Sequence, residues 1–121
     1  MRNLFFIVFL FLLSNSIMSQ SIESDDKYPQ TVVIKMIEIG SGAPANAESQ
    51  LIVVNPENQI EKKALNDFNY SNSNNKAIES NALQLKIEIQ KWHNLGYTVR
   101  SSNTSAPTFY CIISTYVLQK N

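Results

Sequence analysis

The feature that most constrains this chain is a helical repeat that stops at a glycine and turns at once into strand-like sequence, within the stretch Ala77 to Lys120. Ile78, Ala82, Leu85, Ile89 and Trp92 recur at spacings of four and three, which stacks them on one face of a helix over about 76–95. Leu83 and Ile87 widen that stripe. Glu79, Gln84, Lys86, Glu88, Gln90 and Lys91 fall on the opposite side, toward water. On this reading Ile89 is central to the packed face, and truncating Glu88 should be nearly neutral. Gly96 supplies the positive φ that the residue after a helix end needs, and Tyr97 resumes in extended form. Such a helix acts as a lid on a sheet.

The other segments supply that sheet. TVVIKMIEI at 31–39 is dense in β-branched residues and predicts a strand over about 30–39. Val32, Ile34 and Met36 lie on one side of it, Val33, Lys35 and Ile37 on the other. Gly40, Gly42 and Pro44 punctuate a loop, after which a strand is expected over 51–55. Asn55-Pro56-Glu57-Asn58 reads as a turn, because Pro56 fixes φ at its second position. The returning arm, 59–65, is polar enough to be an edge strand, where Lys62 and Lys63 discourage pairing with other chains. Residues 66–76 form an asparagine-rich loop from which Phe68 and Tyr70 could tuck back onto the sheet, with Asn74 or Asn75 as the helix N-cap. Beyond the helix, a strand over 97–102, a loop over Asn103 to Pro107 and a strand over 108–119 are expected. In that last strand Phe109, Cys111, Ile113, Thr115 and Val117 alternate with Tyr110, Ile112, Ser114, Tyr116 and Leu118. Both sets are largely apolar, which suits a strand with the helix on one face and partial cover on the other. The expected fold is therefore α+β, a small and mainly antiparallel sheet of about five strands with one amphipathic helix packed across it.

Residues 1–19 are set aside from the fold: Arg2, the apolar run Leu4 to Leu13 and the small, polar stretch to Ser19 have the order of a secretory signal peptide. The apolar run is about half the ~20 residues that a bilayer-spanning helix needs. Cleavage after Ser19 leaves Gln20 first, a polar and acidic leader over 20–28, and a single domain over 29–121. No cysteine sits near the cut, so a lipid tether is not expected and no transmembrane anchor remains after processing. The localisation read from this is exported, periplasmic or extracellular. Ten basic and ten acidic residues balance in the full chain, and loss of Arg2 leaves 9 − 10 = −1. With those charges interspersed, nothing suggests a nucleic-acid footprint.

Candidate chemistry is thin. The sole cysteine, Cys111, cannot form a disulfide within the chain, and within the run Phe109 to Ile113 it reads as a buried thiol. A dimer disulfide or a nucleophile are its sharper readings. The sole histidine, His93, sits in the last helical turn, where an imidazolium meets the partial negative charge of the final carbonyls. A hydrolase or thiol-dependent enzyme would have to pair His93 with Cys111. Asp25 and Asp26 are adjacent but lie in the leader, and Glu79 and Glu88 read as surface charges rather than a glycosidase pair. No catalytic, cofactor-binding or metal-binding residue is assigned, and no cofactor. Trp92, Tyr97, Phe109, Tyr110 and Tyr116 cluster in the helix and the last strands, as core or as an exposed ligand face.

Tyr28 to Lys35, Trp92 to Val99 (WHNLGYTV) and Thr115 to Lys120 (TYVLQK) resemble a small bacterial domain-of-unknown-function family, whose helix ends in a Gly-Trp-Glu-Leu-Val-like stretch. Here Tyr97 and Thr98 stand where that pattern has Trp and Glu. The three blocks together cover about a fifth of the mature chain, which is similar to signal-peptide-bearing secreted proteins of Gram-negative bacteria. The resemblance implies a small antiparallel sheet with one helix across it, and no catalytic residues. The function expected is a non-enzymatic exported binding or interaction module for an unknown protein or small-molecule partner. The alternatives are the His93 and Cys111 enzyme, or an accessory subunit pairing by an edge strand.

Overall fold

The computed structural model describes residues 30–69 and 76–120. The signal-like segment, the leader, Tyr70 and the expected caps Asn74 and Asn75 lie outside the described residues. In chain order the elements are β1 (Thr31–Ile39), β2 (Gln50–Val54), β3 (Ile60–Ala64), α1 (Lys76–Asn94), β4 (Tyr97–Thr108) and β5 (Cys111–Lys120). The strands form one sheet in the order β3-β2-β1-β5-β4, and every pairing is antiparallel. With α1 packed on this sheet the fold is α+β, as the sequence predicts.

β1 is central because its β-branched residues suit a strand covered on both flanks. All nine of its residues pair with β5, from Thr31 with Gln119 to Ile39 with Cys111. Its even-numbered residues Val32, Ile34, Met36 and Glu38 are buried under α1. Leu51, Val53, Leu118 and Tyr97 extend that layer, and Leu85 and Trp92 of α1 close it from above. The Trp92 and Tyr97 rings meet edge to face, 5.3 Å between centroids at 81°, a favoured aromatic geometry. The Tyr97 hydroxyl donates to Gln30 Oε1 at 3.0 Å. Burial, with a smaller push from the Glu57 charge, raises its pKa above the usual tyrosine value.

Gly96 ends the helix as expected, with φ +92° and its N–H donating to the His93 carbonyl at 2.9 Å. The β2–β3 turn also matches its sequence signal. The Asn55 side chain accepts the Glu57 and Gln59 N–H groups, and the left-handed residue is Asn58, φ 61°, a residue type that tolerates that region.

Two expectations are corrected. The loop expected over Asn103 to Pro107 is instead strand: β4 runs to Thr108, with Asn103, Thr104 and Ser105 paired to Thr115, Ser114 and Ile113. The turn falls at Phe109 and Tyr110. No alternation marks SSNTSAPT because β4 is exposed throughout after Tyr97, so its strand form is dictated by the hydrogen-bonding edge of β5. Irregularities between Val99 and Ser101 and between Ser105 and Thr108 let it follow, the second accommodating Pro107.

The second correction concerns the helix. Its buried residues are Asn81, Leu85, Glu88 and Trp92, not the stripe that includes Ala82 and centres on Ile89. Leu83 and Ile87 are more than half exposed, and Ile89 is partly buried. Leu85 and Trp92 belong to both stripes, so the real face is rotated by a fraction of a residue toward β3. Polar contacts cause this. Asn81 clamps the backbone of Asn66, accepting its N–H at 3.0 Å and donating to its carbonyl at 2.8 Å, and donates to Glu38 Oε1 at 3.1 Å. Glu88, 1% exposed, accepts from Lys63 Nζ at 2.6 Å, Trp92 Nε1 at 2.8 Å and Lys91 Nζ at 3.2 Å. Burial alone would raise the Glu88 pKa, but the bonds from Lys63, Lys91 and Trp92 outweigh it and hold the carboxyl below its usual 4.5. The bond to Glu88 in turn raises Lys63 above 10.5.

Phe68 tucks back as expected. It is 4% exposed, bridged to Gly40, and a Cβ on Gly40 would lie 2.5 Å from its ring. Gly40→Ala should therefore cost about 1–3 kcal/mol as overpacking, read from urea melts. Phe68→Leu, harmful alone, should recover part of that loss in the double variant, and purely additive losses would show that the contact is not the cause.

Glu88→Ala should cost about 2–3 kcal/mol. That is below the ~3–5 typical of breaking a fully buried pair, because Lys63 keeps water access, its side chain being 36% exposed. Because folding lowers the Glu88 pKa, its contribution is full above the unfolded value of 4.5 and fades as pH falls through the folded value. The gap between parent and Glu88→Gln should thus shrink below pH 4.5 in melts across pH. A constant gap would show that charge is not what Glu88 supplies.

Candidate interaction surface

The residues of the sheet that point away from α1 have no second layer on them among the described residues. Register places them in rows. Lys35 opposes Ile52 and Thr115, which oppose Lys62 and Asn103, giving the row Lys62, Ile52, Lys35, Thr115, Asn103. One neighbouring row reads Ile60, Val54, Val33, Val117, Ser101, and the other Ala64, Gln50, Ile37, Ile113, Ser105. Val33, Ile37, Ile52, Val54, Ile113 and Val117 are half-buried by their neighbours alone, and Ile60 is 65% exposed.

A solvated face of an antiparallel sheet is ordinarily polar at these alternate positions. Here β2, β1 and β5 carry six aliphatic, β-branched residues on this face, interrupted by Gln50, Lys35 and Thr115, with the other polar residues on β4 and at Lys62. Lys35 and Lys62 are exposed, and no ion pair among the described residues includes either. Two strand spacings separate them, about 10 Å. The face thus offers rigid apolar area, little side-chain entropy to lose on contact, and a positive bias. The sequence signal for it was the largely apolar composition of both alternating sets in β5.

The structure separates the residues weighed for catalysis. His93 is exposed in the last turn of α1, close to Tyr97, which pairs with Lys120. Cys111 is at the other end of β5, nine residues and about 30 Å away along an extended strand. It is half-buried and faces away from α1, opposite Ile39. His93 and Cys111 therefore form no nucleophile and base pair. Glu79 and Glu88 are about 13 Å apart along the helix, the first exposed and the second buried, so only Glu79 is the surface charge expected. No group of three or more His, Cys, Asp or Glu among the described residues is placed to hold a metal.

The aromatic set does not make one face either. Trp92 and Tyr97 belong to the core, and Tyr116 is packed against it. Phe109, 73% exposed, stands at the β4–β5 turn with its ring 5.1 Å from Tyr110. A hollow of about 250 Å³ between α1 and the β2–β3 hairpin reaches Trp92, but Lys91 Nζ lies over that indole at 5.3 Å. A second hollow of about 390 Å³, at the opposite end of that hairpin, is lined by Glu48, Ser49, Lys62, Lys63 and Asp67 among others. Its polar groups serve the fold: Ser49 Oγ donates to Asp67 Oδ1 at 2.6 Å and accepts from the Ile39 N–H at 2.8 Å.

β2 and β5, the strands that an accessory subunit would have to find unpaired, are each flanked by strands on both sides. The sheet's edges are β3 and β4. No family model matches the chain, and no curated protein or solved structure matches it either.

Proposed function

We propose that the mature chain is an exported, non-enzymatic interaction module that binds its partner on the sheet face opposite α1. The observation that carries this is the aliphatic set on that face, Val33, Ile37, Ile52, Val54, Ile113 and Val117, arranged around Lys35 in positions where a solvated sheet would be polar. The lysines Lys35 and Lys62 favour an acidic or neutral partner, protein or small molecule, over a basic one. Nucleic acid is not part of this reading, since the mature chain is about neutral. The export half rests on the order of residues 1–19, and the likeness of WHNLGYTV to the domain-of-unknown-function family supports placing the chain as a divergent relative of it.

The binding reading is tested by Ile52→Lys and Val117→Lys, which charge the open face without touching the buried layer. Cross-linking of the tagged parent in its native cells should recover a reproducible partner outside the cytoplasm. Both variants, with unchanged melting curves, should lose it. A partner retained by both would move the binding surface elsewhere and sink the reading.

Export has its own readout. Protein purified from the extracytoplasmic fraction should begin within a few residues of Gln20 on N-terminal sequencing. Recovery there of chains starting at Met1 would overturn the signal-peptide assignment.

A further inference from the structure

The two edges of the sheet are unlike. β3 is five residues long, and Glu61, Lys62 and Lys63 put charge at its middle, a device that discourages pairing with other chains. β4 is twelve residues long and exposed after Tyr97, and its one charged residue, Arg100, lies just outside the stretch from Ser101 to Ser105. Its two irregularities bracket an unbroken stretch, Ser101 to Ser105, paired in regular register with Val117 to Ile113. The outer side of that stretch is an edge that α1 does not cover. We infer that this stretch is a homodimerisation edge, in which Ser101–Ser105 pairs antiparallel with the same residues of a second copy around a two-fold axis at Asn103.

The sequence of the stretch favours a second copy over another occupant. Ser101-Ser102-Asn103-Thr104-Ser105 reads the same in both directions by chemical type: hydroxyl, hydroxyl, amide, hydroxyl, hydroxyl. Antiparallel pairing about Asn103 sets Ser101 opposite Ser105, Ser102 opposite Thr104 and Asn103 opposite itself. No two like charges meet, every position faces a small polar partner, and cross-strand Thr and Ser pairs of this kind are favourable. A two-fold interface requires a self-complementary surface, and this five-residue edge is one. The same operation on β3 would set Lys62 against Lys62.

The geometry has a consequence for the open face. The two-fold axis stands perpendicular to the sheet, so both helices lie on one side and the two open faces join on the other. The row from Lys62 to Asn103 then continues through the second Asn103 to the second Lys62. The inference goes beyond the proposed function and does not depend on what that face binds.

The test uses the mature protein in a Cys111→Ser background. Sedimentation equilibrium over a dilution series should show a monomer–dimer equilibrium. Asn103→Cys should oxidise to a disulfide-linked dimer, since directly opposed Cα atoms about 4.5–5.5 Å apart suit a disulfide. Ser101→Cys should not, because the two copies of residue 101 would lie about 13 Å apart. Asn103→Lys, which opposes two ammonium groups, should weaken the dimer by roughly tenfold or more. A monomer at all concentrations, a dimer unmoved by Asn103→Lys, or Ser101→Cys cross-linking as readily as Asn103→Cys would each overturn the inference. Retention of the partner by Ile52→Lys and Val117→Lys, with the dimer intact, would instead count against the proposed function alone.

Discussion

A single carboxylate fixes how the helix sits on the sheet. Glu88 is the one acidic side chain of α1 that is buried, and it gathers the edge strand through Lys63, its own helix through Lys91, and the core through the Trp92 indole. Three donors on one carboxylate offset the loss of its hydration. Lys91 and Trp92 share the helix with Glu88 and fix the orientation of the carboxylate, so it is the bond to Lys63 of β3 that sets the rotation of the helix on the sheet. Aliphatic packing by itself tolerates small rotations, since Leu85 and Trp92 belong both to the face that the apolar repeat suggests and to the face that is used. The polar clamp at Asn81, about two turns earlier, selects between them in the same direction.

How much of this could be read beforehand varies with how local the cause is. The β1 strand, the Asn55 turn and the stop at Gly96 depend on residues within a few positions, and the sequence carries each signal intact; Phe68 packs on the distant Gly40, and only its isolation in a polar loop suggests the tuck. The helix rotation depends on Lys63 and Asn66, distant in sequence from Glu88 and Asn81, and no periodicity within the helix records them. The extension of β4 is similar: SSNTSAPT has the composition of a loop, and only the unmet backbone groups of β5 make it a strand. The candidate surface sat between these cases. That β5 is apolar on both sides was visible, while the rows joining it to Ile52 and Val54 required the register.

The hydrogen-bonded polar groups in the core and the aliphatic groups outside invert the usual allocation in part. Asn81, Glu88, Glu38 and Ser49 are buried, whereas Leu83, Ile87, Ile60 and Phe109 are exposed. No buried side-chain N or O atom among the described residues lacks a hydrogen-bond partner, so the buried polar groups specify geometry without the cost of an unmet donor or acceptor. The half-buried aliphatics of the sheet face run across β2, β1 and β5, whereas the exposed ones of α1 are Leu83 with Ile87 and, apart from them, Ile78, which is why the sheet face rather than the helix surface carries the functional reading.

The pairing of β1 with β5 ties the first strand of the sheet to the last. Thr31 opposes Gln119, so the central hydrogen-bonded ladder joins residues separated by most of the domain, and β1 has only β2 to lean on until the final residues are available. A topology of this kind has a high contact order, and the entropy of closing that large loop falls on the folding transition state. A chain still being synthesised therefore holds at most the β1–β2–β3 meander with α1, without the β1–β5 ladder and with its apolar rows open on one flank. The complete sheet can form only once the C-terminal strand has left the ribosome, which makes this domain slow to commit and leaves a window in which the extended chain remains threadable.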